Sequence, residues 1–126
     1  MNKKDPKLVA LQFNDCINAR DLDGLTAFMT DDHTFIDSVN KEHRGKATMT
    51  KGWQEFFRRY PDYKNIFTTV CSRDNRVIMI GYSTCSNEPK LGGPALWTAI
   101  IENDLVAEWR VYDDTEDNRN KLGVKL

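Results

Sequence analysis

From Ala95 to Asp114 the chain reads ALWTAIIENDLVAEWRVYDD, with apolar and polar residues alternating along an extended backbone. Asn103 and Asp104 interrupt the alternation, and both residue types tolerate the left-handed backbone of a tight hairpin turn. One face of the second predicted strand carries Leu105, Ala107, Trp109, Val111 and Asp113, and the other carries Val106, Glu108, Arg110 and Tyr112. An apolar face that ends in a carboxylate can line a pocket as readily as a dry core.

The length, charge and hydropathy of the chain limit the number of domains and the kinds of partner that it can have. We expect a single domain over residues 1–126, because a chain of 126 residues can bury one core without disulfides or metal ions. A net charge of −1 and the lack of a basic stripe give no reason to expect nucleic acid as a partner. No apolar run approaches the roughly 20 residues that span a bilayer, so no membrane contact is predicted.

Three cysteines, an odd number without CxxC spacing, favour reduced thiols over a disulfide framework. The first residues also lack the apolar core and small-residue cleavage site of a signal peptide. Together these two features predict a cytoplasmic protein.

Three helices are predicted in the first half of the chain. Asp5 and Pro6 begin the first helix, which extends to about Arg20. Asp21 caps a short second helix, residues 21–29, which the polar residues 30–32 end. Apolar residues recur at three- and four-residue intervals from about residue 46 to 60 and predict a third helix that Pro61 terminates.

The strands are predicted mainly in the second half. Residues 33–37 form an early strand with His33, Phe35 and Asp37 on one face, and residues 38–45 form a polar loop. Two further strands cover residues 63–71 and 76–85, and Gly81 indicates a bulge or bend within the second. The tail after Asp114 is expected to be loose or a short helix.

Helices followed by hairpins predict an α+β fold in which one curved, mainly antiparallel sheet wraps over three N-terminal helices. The outward face of this sheet is itself partly apolar, which predicts a symmetric homodimer. The residues concerned are Leu96, Thr98, Ile100, Val106 and Tyr112.

Three segments, NARDLDGLTAFMTDDHTFID, RGKATMTKGWQEFF and LVAEWRVYDD, resemble the SnoaL-like branch of the nuclear transport factor two-like superfamily. The resemblance extends over nearly the whole chain, from about Leu8 to Asp114. It implies a cone-shaped α+β fold around a pocket, commonly as a dimer. Members of this superfamily include polyketide cyclases, ketosteroid isomerases, epoxide hydrolases, dehydratases and binding modules, so the fold alone does not fix the function.

The resemblance also implies roles for individual residues. Asp37 lies where ketosteroid isomerases carry their general base, and partial burial there would raise the pKa of its carboxyl group. Phe13 and Trp97 match the two positions from which those enzymes stabilise the enolate, and Val111 matches an aspartate of limonene-type epoxide hydrolases. A SnoaL-like cyclase needs one acid-base carboxylate, which Asp37 or Asp113 would supply.

We therefore predict Asp37 as the catalytic residue of an enzyme without a cofactor. The predicted ligand-binding residues are Phe13, His33, Phe35, Trp53, Tyr60, Trp97, Trp109 and Asp113. No metal site is predicted, because Asp32, His33, Asp37 and His43 lack HxH-like or HxxxH-like spacing on one element.

Several assignments have structural alternatives. Asp37 could instead cap the following loop through Ser38 and Asn40. Asp113 could pair with Arg110 or Arg119. The predicted role of His33 is a proton relay, and its alternative is a neutral, hydrogen-bonded core residue.

Two functional hypotheses follow from these residues. The first is an isomerase, cyclase or lyase that acts on a small apolar carbonyl compound, with Asp37 as the acid-base group and Trp97 and Trp109 holding the substrate. The second is a module that binds an apolar small molecule or a partner without turnover. A second polar group converging with Asp37 in the pocket favours the enzyme, whereas an Asp37 side chain that caps the loop favours the module.

Overall fold

The computed structural model describes residues 4–124. Its helices are α1 (Pro6–Ala19), α2 (Leu22–Ala27), α3 (Lys46–Arg59) and α4 (Glu116–Leu122), with a short 3-10 turn at Pro89–Leu91. Its strands are β1 (Met29–Ile36), β2 (Glu42–Arg44), β3 (Lys64–Arg73), β4 (Arg76–Thr84), β5 (Gly93–Glu102) and β6 (Leu105–Asp113). No helix in this range is long and apolar enough to cross a membrane.

The strands form one mixed sheet in the order β2-β1-β6-β5-β4-β3. β1 runs parallel to β6, and the other neighbouring strands are antiparallel. Three helices precede most of the sheet, and α1 packs on one sheet face through Val9, Phe13 and Ile17, which are fully buried. The predicted α+β class is confirmed.

The predicted hairpin of β5 and β6 is confirmed, with φ of 52° at Asn103 and 63° at Asp104. One detail of its pattern was wrong. The register shifts between the Ile100–Glu108 and Ile101–Val106 pairs, so Ala107 is an extra residue in β6. This bulge turns Val106 into the core, where it is fully buried, although strict alternation placed it on the outer face.

Two boundaries before α3 also differ from the prediction. The sequence predicts that the second helix includes Met29 and ends at residues 30–32, but β1 begins at Met29, which pairs with Val106 of β6. Residues 38–45 were assigned to a loop, but Glu42–Arg44 pairs with β1 as the short strand β2. Both differences come from pairing with another strand, which local propensity does not register.

The predicted irregularity at Gly81 is confirmed. The register between β3 and β4 shifts just after Phe67, the residue that pairs with Gly81. A Cβ atom at Gly81 would overlap the carbonyl oxygen of Ile66, so the two backbones approach more closely there than a side chain permits.

The C-terminal tail forms α4 and covers part of the outer sheet face. Leu122 of α4 is 6% exposed and packs with Ile78 and Leu96 in a second, smaller apolar cluster. Arg119 holds α4 to the end of β6, because its Nε and Nη2 donate to the two carboxylate oxygens of Asp114 at 2.6 and 2.8 Å. The chain therefore buries Leu96 itself, which removes part of the apolar face on which the dimer prediction depended.

Candidate functional site

A cavity of about 490 Å³ lies between α3 and the inner face of the sheet. Its apolar wall comes from both layers and includes Phe35, Met49, Trp53, Phe56, Trp97, Trp109 and Val111. One set of polar groups lies on β1 and β2 and a second around β3 and β4, and Lys90 and Asp113 also line the cavity. The size and the mainly apolar lining with several aromatic rings are typical of small-molecule sites.

Six of the nine predicted site residues line this cavity. They are Phe35, Asp37, Trp53, Trp97, Trp109 and Asp113. The other three lie elsewhere. Phe13 is fully buried in α1, with its ring centroid 4.8 Å from that of Trp109, and Tyr60 ends α3 with its ring 5.0 Å from that of Phe56.

His33, the third of these residues, is also fully buried. Its Nδ1 lies 2.7 Å from the carbonyl oxygen of Val106, and its Nε2 has no hydrogen-bond partner among the described residues. Burial lowers the pKa of His33 against the opposing effects of that hydrogen bond and of Asp32. His33 is therefore a neutral imidazole that donates through Nδ1, as its structural alternative describes.

Asp37 lies at the end of β1 and uses its two carboxylate oxygens differently. Oδ1 accepts the backbone N–H groups of Val39 at 3.1 Å and Lys41 at 2.9 Å. Oδ2 lies 3.4 Å from Nε2 of His43. The side chain thus caps the loop, although through Val39 and Lys41 rather than Ser38 and Asn40, and it also reaches a second cavity residue.

The predicted rise in the pKa of Asp37 is wrong. Partial burial acts to raise this pKa, but hydrogen bonds from the Lys41 N–H, the His43 ring and the Val39 N–H together lower it. Asp37 is consequently a carboxylate at neutral pH. A group with this pKa is a weak proton acceptor and a good electrostatic partner for a cation.

His43 is a cavity residue for which the sequence analysis considered only a metal-binding role. It lies in β2, directly opposite Phe35 of β1, with the two ring centroids 5.9 Å apart. Its Nδ1 makes no hydrogen bond to the described part of the chain. The signal that could have revealed this pair is the turn-forming Asn40, with φ of 66°, midway between Asp37 and His43.

A buried hydrogen-bond network forms the second polar part of the cavity, and the sequence analysis missed it. Ser83 Oγ lies 3.1 Å from the Tyr63 hydroxyl oxygen and 2.8 Å from Oδ1 of Asn65. Asn65 in turn bonds to Asn14 and Asn18 of α1. These contacts join α1 to β3 and β4, and residues so far apart carry no common local pattern.

Asp113 does not form either of the ion pairs considered for it. Arg119 binds Asp114, and Arg110 donates to Oδ1 of Asn40 at 2.7 Å. The side chain of Asp113 has no ionic or hydrogen-bond partner in residues 4–124. In the same range no three histidine, cysteine, aspartate or glutamate side chains gather as metal ligands.

Comparison with protein families identifies a domain that covers most of the chain. The model of the SnoaL-like domain matches residues 10–116. The chain matches no curated protein at a significant level.

Several solved structures share the fold. A putative SnoaL-like polyketide cyclase from Shewanella putrefaciens CN-32 superposes with a TM-score of 0.77 at 16% identity, over 97% of this chain and 88% of that one. A putative ketosteroid isomerase from Kribbella flavida DSM 17836 gives 0.72 at 16% identity, over 96% and 89%. An LEH-like epoxide hydrolase from M. tuberculosis gives 0.77 at 12% identity, over 86% and 82%. Identities this low establish the fold alone.

Proposed function

Because this chain belongs to the SnoaL-like family, we propose that its cavity binds an apolar carbonyl compound and catalyses proton transfer at the carbon next to the carbonyl group. The reaction class is that of a cofactor-free isomerase, cyclase or lyase. The observation that carries the proposal is the 3.4 Å approach of His43 Nε2 to Asp37 Oδ2 in the wall of an aromatic cavity.

His43 is the residue that exchanges the proton in this proposal. With Nε2–H directed at Asp37, Nδ1 carries the lone pair and has no partner among the described residues. It removes a proton from the carbon, the electron pair of the C–H bond forms the enolate, and the imidazole becomes an imidazolium. The proton then returns to another carbon or to a leaving group.

Asp37 is a positioning residue for His43. Its lowered pKa keeps it ionised while the imidazolium forms, so its negative charge stabilises that cation. Two backbone N–H groups fix Oδ1, which leaves Oδ2 to orient the imidazole ring. In this proposal the acid-base role predicted for Asp37 from the sequence therefore belongs to His43, and Asp37 orients the imidazole ring.

The aromatic residues supply the binding energy for an apolar substrate. Trp97 and Trp109 are 1% exposed and come from the two central strands β5 and β6. Phe35 of β1 pairs with Trp109 in the same sheet, and Trp53 lines the cavity from α3. Rings held this rigidly bind a flat or cyclic apolar skeleton at little cost in side-chain entropy.

Proton exchange in heavy water tests the proposal. We use 2-tetralone, whose C1 protons lie between a carbonyl group and an aromatic ring, and follow their replacement by deuterium with proton NMR. We expect acceleration by the wild type and a loss on the order of 10²–10⁴ in His43→Gln. The matched control is Asp32→Asn, because Asp32 is exposed and lies outside the cavity. Exchange that is equally fast in His43→Gln would overturn the proposal.

A specific observation favours a second function, binding without turnover. Oδ1 of Asp37 is fully used in holding the loop, which is the arrangement expected of a structural aspartate. Calorimetry measures whether 2-tetralone binds, and proton NMR measures whether its exchange is accelerated. Binding, which should also quench tryptophan fluorescence, without any accelerated exchange would support the module and contradict the enzyme.

We also propose that the chain forms a homodimer through the part of the outer sheet face that α4 leaves open. What supports it is that Ile80 and Ile100 are only partly buried on this face and Tyr82 is 43% exposed. Sedimentation equilibrium at micromolar concentration tests it directly. We expect a dimer in the wild type and a monomer in Tyr82→Lys, and a monomeric wild type would overturn this proposal.

A further inference from the structure

In the polar network of the cavity, backbone atoms determine which side-chain group donates each hydrogen bond and which accepts it. Nδ2 of Asn14 lies 3.3 Å from the carbonyl oxygen of Asn65, and a carbonyl oxygen only accepts hydrogen bonds. The amide of Asn14 is therefore oriented with its nitrogen toward that carbonyl. Its Oδ1 is left facing Nδ2 of Asn65 at 3.2 Å, from which it accepts a hydrogen bond.

The orientation of Asn14 fixes that of Asn65. Because Nδ2 of Asn65 faces Asn14, its Oδ1 faces Ser83, at 2.8 Å from Oγ. Asn18 holds the backbone of Asn65 in place, since it accepts from the N–H at 2.9 Å and donates to the carbonyl at 2.9 Å. Asn65 is 2% exposed, so neither amide group of this pair can turn to water instead.

The orientation of the Asn65 amide in turn determines the donor and acceptor roles of Ser83 and Tyr63 at the cavity wall. Ser83 has one hydroxyl proton and gives it to Oδ1 of Asn65, so toward Tyr63 it has only lone pairs. The Tyr63 hydroxyl, 3.1 Å away, must donate to Ser83, since two hydroxyl oxygens at that distance without a proton between them repel each other. Burial raises the pKa of Tyr63, which keeps this proton in place at neutral pH.

We infer that Tyr63 is a specificity-determining residue whose oxygen acts as a hydrogen-bond acceptor toward the ligand, so that the cavity selects a ligand with a hydroxyl or N–H group at this position. A ligand carbonyl there would meet lone pairs. Tyr63 and Ser83 line the cavity at the β3–β4 edge of the sheet, and His43 lines it at the β2 edge. The inference rests on the proposed function, and it narrows the substrate class to apolar carbonyl compounds with a hydroxyl or N–H group remote from the reacting carbon.

A matched pair of ligands tests the inference by calorimetry. 6-Hydroxy-2-tetralone can donate a hydrogen bond from its remote oxygen, whereas 6-methoxy-2-tetralone can only accept one. We expect the wild type to bind the hydroxy compound roughly threefold to tenfold more tightly. Tyr63→Phe should abolish the difference, and Tyr82→Phe, the same change at an exposed residue outside the cavity, should preserve it.

Ser83→Ala provides the sharpest result, because it removes the acceptor of the Tyr63 proton. The Tyr63 hydroxyl then becomes free to donate, so the preference should shift toward the methoxy compound. Since Ser83 is buried and this variant also leaves Oδ1 of Asn65 without its donor, its fold is checked by circular dichroism. If this variant does not fold, neutron diffraction on the wild type locates the deuterium atoms of the Tyr63 and Ser83 hydroxyl groups and so shows which hydroxyl group donates to which acceptor.

The outcomes separate the inference from the proposed function. Equal binding of both compounds by the wild type, or a preference that survives in Tyr63→Phe, would overturn the inference and leave proton transfer by His43 intact. A deuterium of Tyr63 directed away from Ser83 would overturn it as well. Failure of both compounds to bind would overturn the proposed function together with the inference.

Discussion

Nε2 of His43 lies 3.4 Å from Oδ2 of Asp37 because the short strand β2 folds back on β1. The loop between the two residues binds the other oxygen of Asp37 through backbone N–H groups. The carboxylate is thus anchored by one oxygen and orients the imidazole with the other. A fixed negative charge beside an imidazole favours the tautomer whose N–H is directed at the carboxylate.

The first prediction concerns the dependence of these two residues on each other. Asp37→Asn should slow proton exchange in 2-tetralone less than His43→Gln does, because asparagine keeps the oxygen that caps the loop and loses only the charge. The double variant should be no slower than His43→Gln, since a carboxylate without an imidazole has nothing to orient. The three rates are measured by NMR under one condition. Losses that multiply would show that Asp37 acts on the substrate independently of His43.

The second prediction concerns acid stability. Since the pKa of Asp37 is lowered in the folded chain, the ionised carboxylate stabilises the fold above the unfolded value of about 3.9. This contribution is lost as the pH falls through that value and then through the folded pKa. We expect the wild type to exceed Asp37→Asn by about 0.5–1 kcal/mol in unfolding free energy at pH 7, a small figure because the carboxylate is partly exposed.

Urea denaturation of both proteins between pH 3 and pH 7 measures this difference. The gap should narrow as the pH falls below about 3.9, because the unfolded chain binds a proton at this residue before the folded chain does. Asp5→Asn is the matched control, because Asp5 caps α1 with no histidine beside it. A gap that is constant over this range would contradict the prediction.

The third prediction concerns His33, whose pKa is lowered in the folded chain chiefly by burial. The unfolded chain takes up a proton at this residue near pH 6.5, and the folded chain does so only at lower pH. Stability should therefore fall as the pH drops below about 6.5. His33→Gln should remove this slope and cost about 1–3 kcal/mol at pH 7.5, because the new amide has to fit a site shaped for a ring.

Thermal unfolding followed from pH 7.5 to 5.0 tests this slope. His43→Gln serves as the comparison, since it removes the other histidine of the sequence while His33 stays buried. A slope that persists in His33→Gln would assign the acid sensitivity to other groups.

Local sequence signals predicted the elements that are determined locally. The β5–β6 turn depends on Asn103 and Asp104 alone, and α3 ends where Pro61 approaches, so both were predictable. β2 and the first half of β1 exist because they pair with strands elsewhere in the chain. No window of neighbouring residues contains that information.

The candidate site likewise has residues that the local sequence pattern predicts and properties that it does not predict. Alternation along β1 and β6 gave Phe35, Asp37, Trp109 and Asp113, because residues two apart share a face. The acceptor character of Tyr63 was not predictable, since it depends on a chain of amides that begins in α1. Packing between distant elements, rather than residue type, decides which way a hydroxyl proton points.

The last prediction concerns Gly81, where the backbones of β3 and β4 approach closely. A Cβ atom there would overlap the carbonyl oxygen of Ile66, and backbone cannot move aside as a flexible side chain can. Gly81→Ala should therefore lower the unfolding free energy by about 2–4 kcal/mol.

Gly52→Ala is the matched control, because Gly52 lies within α3 and its added Cβ would come no closer than 3.8 Å to Met49. Alanine favours the helix, so this variant should gain up to about 1 kcal/mol. Urea denaturation at pH 7 measures both changes. A Gly81→Ala protein as stable as the wild type would mean that the two strands can separate at the bulge.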